Sequence, residues 1–147
     1  MKEKQCAVIC DLDGTLCNDT LRRHYVASKH RDYDAYHAAL VNDSTNEDVL
    51  KALRKFADEG VVIIFLTGRP EKYRSSTLDW LMKYDVPTGL LFMKRNDNTM
   101  QPAHEFKKEI IKRELKSFDI GFALEDNSKC IEMYRTLGIE TIEVHID

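Results

Sequence analysis

Cys6-Ala7-Val8-Ile9-Cys10-Asp11-Leu12-Asp13-Gly14-Thr15-Leu16 is the stretch that decides the fold. Its first five residues form a short apolar run, the pattern of a strand covered on both faces. Next come two carboxylates, two residues apart, where that strand ends and a Gly-Thr turn begins. Asp-x-Asp alone is common in loops and metal sites. Behind a strand and ahead of Gly-Thr it marks a ligand site, because open α/β sheets bind at the carboxyl ends of their strands.

Outward from this point, apolar runs recur at 61–66, 89–93, 121–124 and 141–144, with helix-like segments between them. The alternation predicts βαβ units and an α/β fold, a Rossmann-like parallel sheet sandwiched by helices. Ser44-Thr45-Asn46-Glu47 reads as a capping box before Val49, Leu50, Leu53, Phe56 and Ala57, and Gly60 suits a left-handed stop. Pro70 suits the start of a second helix with Leu78, Leu81 and Met82 as its buried stripe. Phe106, Ile110, Ile111 and Leu115 mark a third. A fourth is capped by Ser128, turns Ile131, Tyr134 and Leu137 inward, and stops at Gly138. Residues 18–43 break the alternation. They are polar and aromatic, 34–40 suits a short helix, and the whole is expected as a short cap-like insertion over the sheet's carboxyl edge. Residues 1–147 are expected to form one domain.

Composition narrows the function. Among 147 residues 43% are apolar and 32% charged, enough for one core. A net charge of −3 gives no general basic field for long nucleic acid, though it leaves room for a local basic patch. No apolar run approaches the roughly 20 residues of a membrane span. Met1-Lys2-Glu3-Lys4-Gln5 leads into no signal-peptide pattern. Cys6, Cys10, Cys17 and Cys130 show neither Cys-x-x-Cys nor zinc spacing. They are expected to be reduced, with Cys6 and Cys10 buried in the first strand, and the protein to be cytoplasmic.

Three further elements carry chemistry. Leu66-Thr67-Gly68-Arg69 ends the second strand with a hydroxyl and free N–H groups, which suit phosphate oxygens. Lys107, or its neighbour Lys108, stands early in a helix; taken alone, such a lysine is usually a solvated one. Leu124-Glu125-Asp126-Asn127 ends another apolar run with adjacent acids, which need solvent or a cation. Asp11 and Asp126 fit the carboxylate-and-water coordination of Mg²⁺.

In this order the four elements resemble the haloacid dehalogenase (HAD) superfamily of phosphatases, over nearly the whole chain. The resemblance implies that Asp11 attacks phosphorus to form an aspartyl-phosphate. It implies that Asp13 protonates the leaving alcohol and then activates water, that Thr67 binds a phosphoryl oxygen, and that Lys107 neutralises nucleophile and phosphate. It also implies Mg²⁺ on Asp11, the main-chain carbonyl of Asp13 and Asp126, with Glu125 in a second shell. A narrower likeness runs through Trp80…Pro87…Met93-Lys94-Arg95…Pro102…Phe106-Lys107 and Leu124-Glu125-Asp126…Ile131-Glu132-Met133-Tyr134. These runs, with Asp32-Tyr33-Asp34-Ala35-Tyr36 and Asn42-Asp43, are similar to the 3′-phosphatase domain of bacteriophage polynucleotide kinase and its small stand-alone relatives. That likeness implies substrate contacts from Arg22, Gly68, Arg69 and Arg95. Relatives usually carry Arg-Pro-Asp before the lysine, where this chain has Gln101-Pro102-Ala103, and Glu125 stands in place of a more usual Asp. No Gly-x-x-x-x-Gly-Lys-Ser/Thr loop is present, so the sequence offers no kinase half.

His24, His30, His37 and His104 read first as surface or packing residues, and Tyr33, Tyr36 and Trp80 as packing aromatics. Arg22-Arg23 is either a solvated pair or a phosphate clamp. The expected function is a Mg²⁺-dependent phosphomonoesterase acting on 3′-phosphates of polynucleotide ends or on nucleotides. The alternatives are a small-metabolite or 5′-nucleotide phosphatase, and a binding protein that keeps the fold without turnover. The expected partner is a phosphorylated nucleotide or nucleic-acid end. The sequence calls for no membrane and no obligatory protein partner.

Overall fold

Alternation of side chains across a buried strand explains the centre of the molecule. In the computed structural model, which describes residues 3–147, strand β1 (Gln5–Cys10) turns Val8 and Cys10 to one face and Ala7 and Ile9 to the other. A two-residue strand β2 (Cys17–Asn18) follows, then the short helices α1 (His24–Ala27) and α2 (Tyr33–Ala38) and a 3₁₀ turn at Ala39–Asn42. Strand β3 (Ser44–Thr45) pairs antiparallel with β2 and leads into helix α3 (Glu47–Asp58). Then come β4 (Val62–Pro70), α4 (Arg74–Lys83), β5 (Leu90–Lys94) and α5 (Ala103–Glu114). Strand β6 (Phe118–Glu125), helix α6 (Ser128–Thr136) and strand β7 (Thr141–Glu143) complete the chain.

The main sheet is parallel and ordered β5-β4-β1-β6-β7. With β1 in the middle, its carboxyl end is flanked by those of β4 and β6, and the strand order reverses there, the place where such sheets bind ligands. Both faces are covered. Leu50 and Leu53 of α3 and Trp80 and Leu81 of α4 pack on Val8, Ile63 and Phe65. Phe106 and Ile110 of α5 and Cys130 and Tyr134 of α6 pack on Ala7, Ile9 and Ile64. The expected α/β sandwich is the fold observed.

Local readings differ at five points. Cys6 is exposed, because β1 enters the core only at Ala7. Ser44 and Thr45 are spent on the β2–β3 ribbon, so α3 starts after Asn46, whose side chain makes no capping bond. Pro70 ends β4, and a 3₁₀ turn at Glu71–Tyr73 delays α4. That delay fixes the phase of α4: Thr77, Trp80 and Leu81 face inward, while Leu78 and Met82 face solvent. Two polar anchors hold this face, since Thr77 Oγ1 accepts from Arg69 Nη1 at 3.0 Å and Trp80 Nε1 donates to the Asp43 carbonyl at 3.0 Å. Asn127 rather than Ser128 caps α6, accepting from the Cys130 N–H at 3.1 Å. Among the described residues, no helix is long and apolar enough to cross a membrane.

Candidate active site

The chain leaves β1 at Asp11, whose N–H donates to the Leu124 carbonyl at 3.0 Å, so β1 and β6 end together. Their terminal acids therefore converge. Carboxylate oxygens of Asp11, Glu125 and Asp126 lie within 4.8 Å of one another. Lys107, buried at the start of α5, answers part of this charge: its Nζ donates to Asp11 Oδ1 at 2.9 Å and to Glu125 Oε1 at 2.7 Å. Glu125 Oε2 accepts the N–H groups of Asp126 and Asn127 at 3.1 and 3.2 Å, and Thr15 Oγ1 donates to Asp11 Oδ2 at 2.9 Å. Gly14, at φ +81°, makes the approach possible, for a Cβ there would meet Asp126 Oδ2 at 2.2 Å.

Three acids against one lysine leave an excess of negative charge. Burial, followed by repulsion from Glu125, pushes Asp11 up to about 7, and burial, followed by Asp11, pushes Asp126 up to about 7. Burial alone would lower Lys107, but the two carboxylates it bridges outweigh this and raise it. An all-oxygen cluster with surplus charge and no sulfur suits a hard divalent cation. The residues present fit Mg²⁺: Asp11 and Asp126 would hold it, with Glu125 beside them.

Asp13 lies in a separate electrostatic setting. Arg69 reaches it through Nη2 at 2.7 Å and Nε at 3.1 Å, and Arg22 Nη2 bonds the same oxygen. Burial would raise its proton affinity, but Arg69 and Arg22 together hold it well below the usual carboxylate range. Arg22 is itself fixed. Its Nε and Nη2 donate to the two oxygens of Asp43 at 2.9 and 2.6 Å, its Nη1 donates to the Tyr36 carbonyl at 3.1 Å, and it lies 4.2 Å from the centre of the Tyr36 ring.

The two arginines thus differ from the expectation that they contact substrate. Both are buried and spend their donors on Asp13, Asp43 and Thr77. Arg95 differs more. It points to solvent and pairs with Asp97 at 2.7 Å, outside the cavity that the other candidates share. The alternation of β5 turns Lys94 inward instead. Thr67 is fully buried with its Oγ1 accepting the Arg69 N–H at 3.1 Å, and Gly68 beside it reaches the cavity wall.

That cavity measures about 900 Å³ and opens above Asp11, Asp13, Lys107 and Asp126. Tyr33, Asp34, His37 and Lys72 line its outer side. His37 is the one histidine on its wall among the described residues. Burial and the nearby arginines, against the pull of Asp13, lower His37 to about 4, so its ring is neutral at pH 7, and its Nδ1 has no hydrogen-bond partner among the described residues. Sequence reasoning quoted Lys94 and Asp43 only as part of the family likeness, with no role of their own, and read His37 first as a surface or packing residue. Strand parity alone would have found Lys94.

Residues 5–147 match the family model of the polynucleotide kinase PNKP phosphatase domain, and the chain belongs to that family. It is 28% identical over 139 residues to a protein of Autographa californica nuclear polyhedrosis virus described as a putative bifunctional polynucleotide kinase/RNA ligase. That match covers 92% of this chain and 19% of the relative. A chain in the structure of a Pnkp1/Rnl/Hen1 complex superposes with a TM-score of 0.83 and 30% identity, covering 98% of this chain and 47% of that one. The chain thus spans about half the length of that solved relative and a fifth of the curated one. A class C acid phosphatase from Bacillus anthracis shares the fold, with a TM-score of 0.72 at 14% identity over 98% of this chain and 68% of that one.

Proposed function

We propose that this member of the polynucleotide kinase phosphatase-domain family is a Mg²⁺-dependent phosphomonoesterase that removes 3′-phosphates from polynucleotide ends or nucleotides through an aspartyl-phosphate on Asp11. The observation that carries the reading is the position of Asp11. It is a buried carboxylate held by Lys107 at 2.9 Å and Thr15 at 2.9 Å, at a strand end that opens into the cavity. Lysine and hydroxyl orient the group, which is the positioning a covalent nucleophile needs.

Asp11 forms a P–O bond as the ester P–O bond breaks and the alcohol departs. Water then attacks the same phosphorus, and Asp11 is released with phosphate. Mg²⁺ on Asp11, Asp126 and the Asp13 carbonyl would supply charge that offsets the phosphoryl oxygens. Asp13, clamped as a carboxylate, is in the form that takes a proton from the attacking water. For the first step it must carry a proton. The incoming phosphoryl dianion favours this, because a like charge nearby raises a carboxyl group's proton affinity.

Family membership supports a nucleotide substrate, as does an open cavity whose outer wall presents the half-exposed Tyr33 ring and Lys72. The test is competition among a 3′-phosphorylated oligonucleotide, a 3′-mononucleotide, a 5′-mononucleotide and a sugar phosphate, compared by kcat/KM. The 3′-phosphorylated substrates should be preferred. A preference for the sugar phosphate would overturn the assignment, and one for the 5′-mononucleotide would replace it with a nucleotidase.

A further inference from the structure

Among the described residues, every buried cation at the cavity or behind it has a carboxylate partner except one. Asp13 and Asp43 face Arg22 and Arg69, two against two. Lys107 is committed to Asp11 and Glu125. Lys94 alone among the cavity's buried cations has no carboxylate within ion-pair distance among the described residues. It is 8% exposed, and its Nζ makes one hydrogen bond, to the Gln101 carbonyl at 2.7 Å. Its two remaining N–H bonds have no acceptor among the described residues.

Position says what those donors face. Lys94 is the last residue of β5 and pairs with Pro70 at the end of β4, so it stands at the sheet's carboxyl edge beside the Thr67-Gly68 segment. A Cβ on Gly68 would sit 3.9 Å from Lys94 Nζ and 3.3 Å from the Ala103 Cβ. The ammonium therefore lies close against a backbone stretch that reaches the cavity wall. A buried ammonium without a counter-ion is costly unless an anion arrives to meet it. Burial and the neighbouring Lys107 both disfavour its charge when the cavity is empty of anions.

We propose that Lys94 is a substrate-contacting residue, the cation that receives a non-bridging oxygen of the phosphoryl group entering above Asp11. The proposal rests on the phosphatase reading and deepens it. A phosphomonoester is a dianion, and Lys107 is already shared between two carboxylates. Lys94 supplies the charge that Lys107 does not have to spare. It occupies the role that the sequence likeness assigns to Arg95.

The alternative is that Lys94 only tethers the segment around Gln101. The two differ in stability and in anion binding. Lys94→Met and Lys94→Gln are each compared with the full wild-type chain for KM and kcat on a 3′-mononucleotide, for competitive inhibition by inorganic phosphate, and for Tm without phosphate. As an anion contact, Lys94 should, on substitution, raise both KM and the phosphate inhibition constant about 10- to 100-fold, with the Tm unchanged or raised. Unchanged phosphate inhibition in a folded variant would overturn the proposal, all the more with a lowered Tm. Lys94→Gln retains a donor that can reach toward the Gln101 carbonyl, so it decides the same question if Lys94→Met folds poorly. Failure of the phosphatase reading itself would look different: the wild type would neither turn over the ester nor bind phosphate.

Discussion

Arg22→Met tests the clamp on Asp13 most directly. Arg22 is 2% exposed and supplies every side-chain hydrogen bond made to the Asp43 carboxylate, at 2.9 and 2.6 Å, among the described residues. Methionine fills the space but leaves Asp43, also 2% exposed, without a cation, and leaves Asp13 with Arg69 alone. Removing one partner of a buried ion pair costs about 3–5 kcal/mol, because the other charge stays behind. At about 2–4 °C per kcal/mol for a domain of this size, the Tm should fall by about 10 °C. Guanidinium unfolding at pH 8 measures the loss. Adding Asp43→Asn removes the stranded charge, so the double variant should be more stable than the sum of the single losses predicts, by about 0.5–3 kcal/mol. The penalty of Arg22→Met should also shrink at pH 5, where a buried unpaired carboxyl takes up a proton instead of keeping its charge. A loss below about 1 kcal/mol, or strict additivity with Asp43→Asn, would refute the claim that Arg22 holds these acids together.

Asp11→Asn should keep the far-UV spectrum and lose turnover by about 10⁴-fold or more, and near-normal turnover would exclude the covalent route. Asp13→Asn should release about one equivalent of phenolate from an aryl phosphate in a burst and then stall, while an alkyl ester shows no burst, because only the alkoxide and the water need a proton partner. Wild-type turnover of both esters by this variant would remove Asp13 from the proton path. Gly14→Ala should cut the Mg²⁺ affinity, read by titration of the metal against Tm, because its Cβ would meet Asp126 Oδ2 at 2.2 Å. An unchanged titration would sink that account. Asp11 and Asp126 both rise to about 7 on folding from a usual value near 4, so the folded state binds more protons between those pH values. Their contribution to stability is thus complete below about pH 4 and is lost as pH rises through about 7. EDTA-treated protein should have a lower Tm at pH 8 than at pH 5, and Mg²⁺ should raise the Tm more at pH 8, with the reverse order counting against the cluster.

The sequence was most legible where burial leaves few choices. Apolar runs pointed to all five strands of the main sheet, most plainly to β1 and β4, where burial on both faces leaves a run of apolar residues unbroken by polar ones. Asp11 and Asp126 were legible from strand ends, whereas Lys107, read alone as a solvated lysine with Lys108 as its equal, stood out only through the family resemblance. What remained hidden depends on phase. One residue of register separates Lys94 from Arg95, and a strand reverses its faces at every residue. Leu78 and Met82 look like a core stripe, yet α4 starts late and turns Thr77 and Trp80 inward to meet Arg69 and the Asp43 carbonyl. Hydrophobicity does not predict a buried face chosen by its polar partners. Arg22 and Asp43 are 21 residues apart in the chain, and no local pattern joins them.

Those polar partners also connect the core to the chemistry. Trp80 Nε1 and Tyr84 Oη both donate to the Asp43 carbonyl, at 3.0 and 2.9 Å. Asp43 holds Arg22, Arg22 holds Asp13, and Arg69 closes the ring by bonding both Asp13 and Thr77 of the same helix. Asp13 therefore has its position set by α4, which itself lines no part of the cavity. Asp11 is set separately, by β1, Thr15 and Lys107. The two acids are two residues apart in the chain but belong to different networks, one oversupplied with negative charge and one with its charges matched. This separation gives one strand end two carboxyl groups of opposite proton affinity, Asp11 raised by burial among neighbouring acids and Asp13 lowered between two arginines.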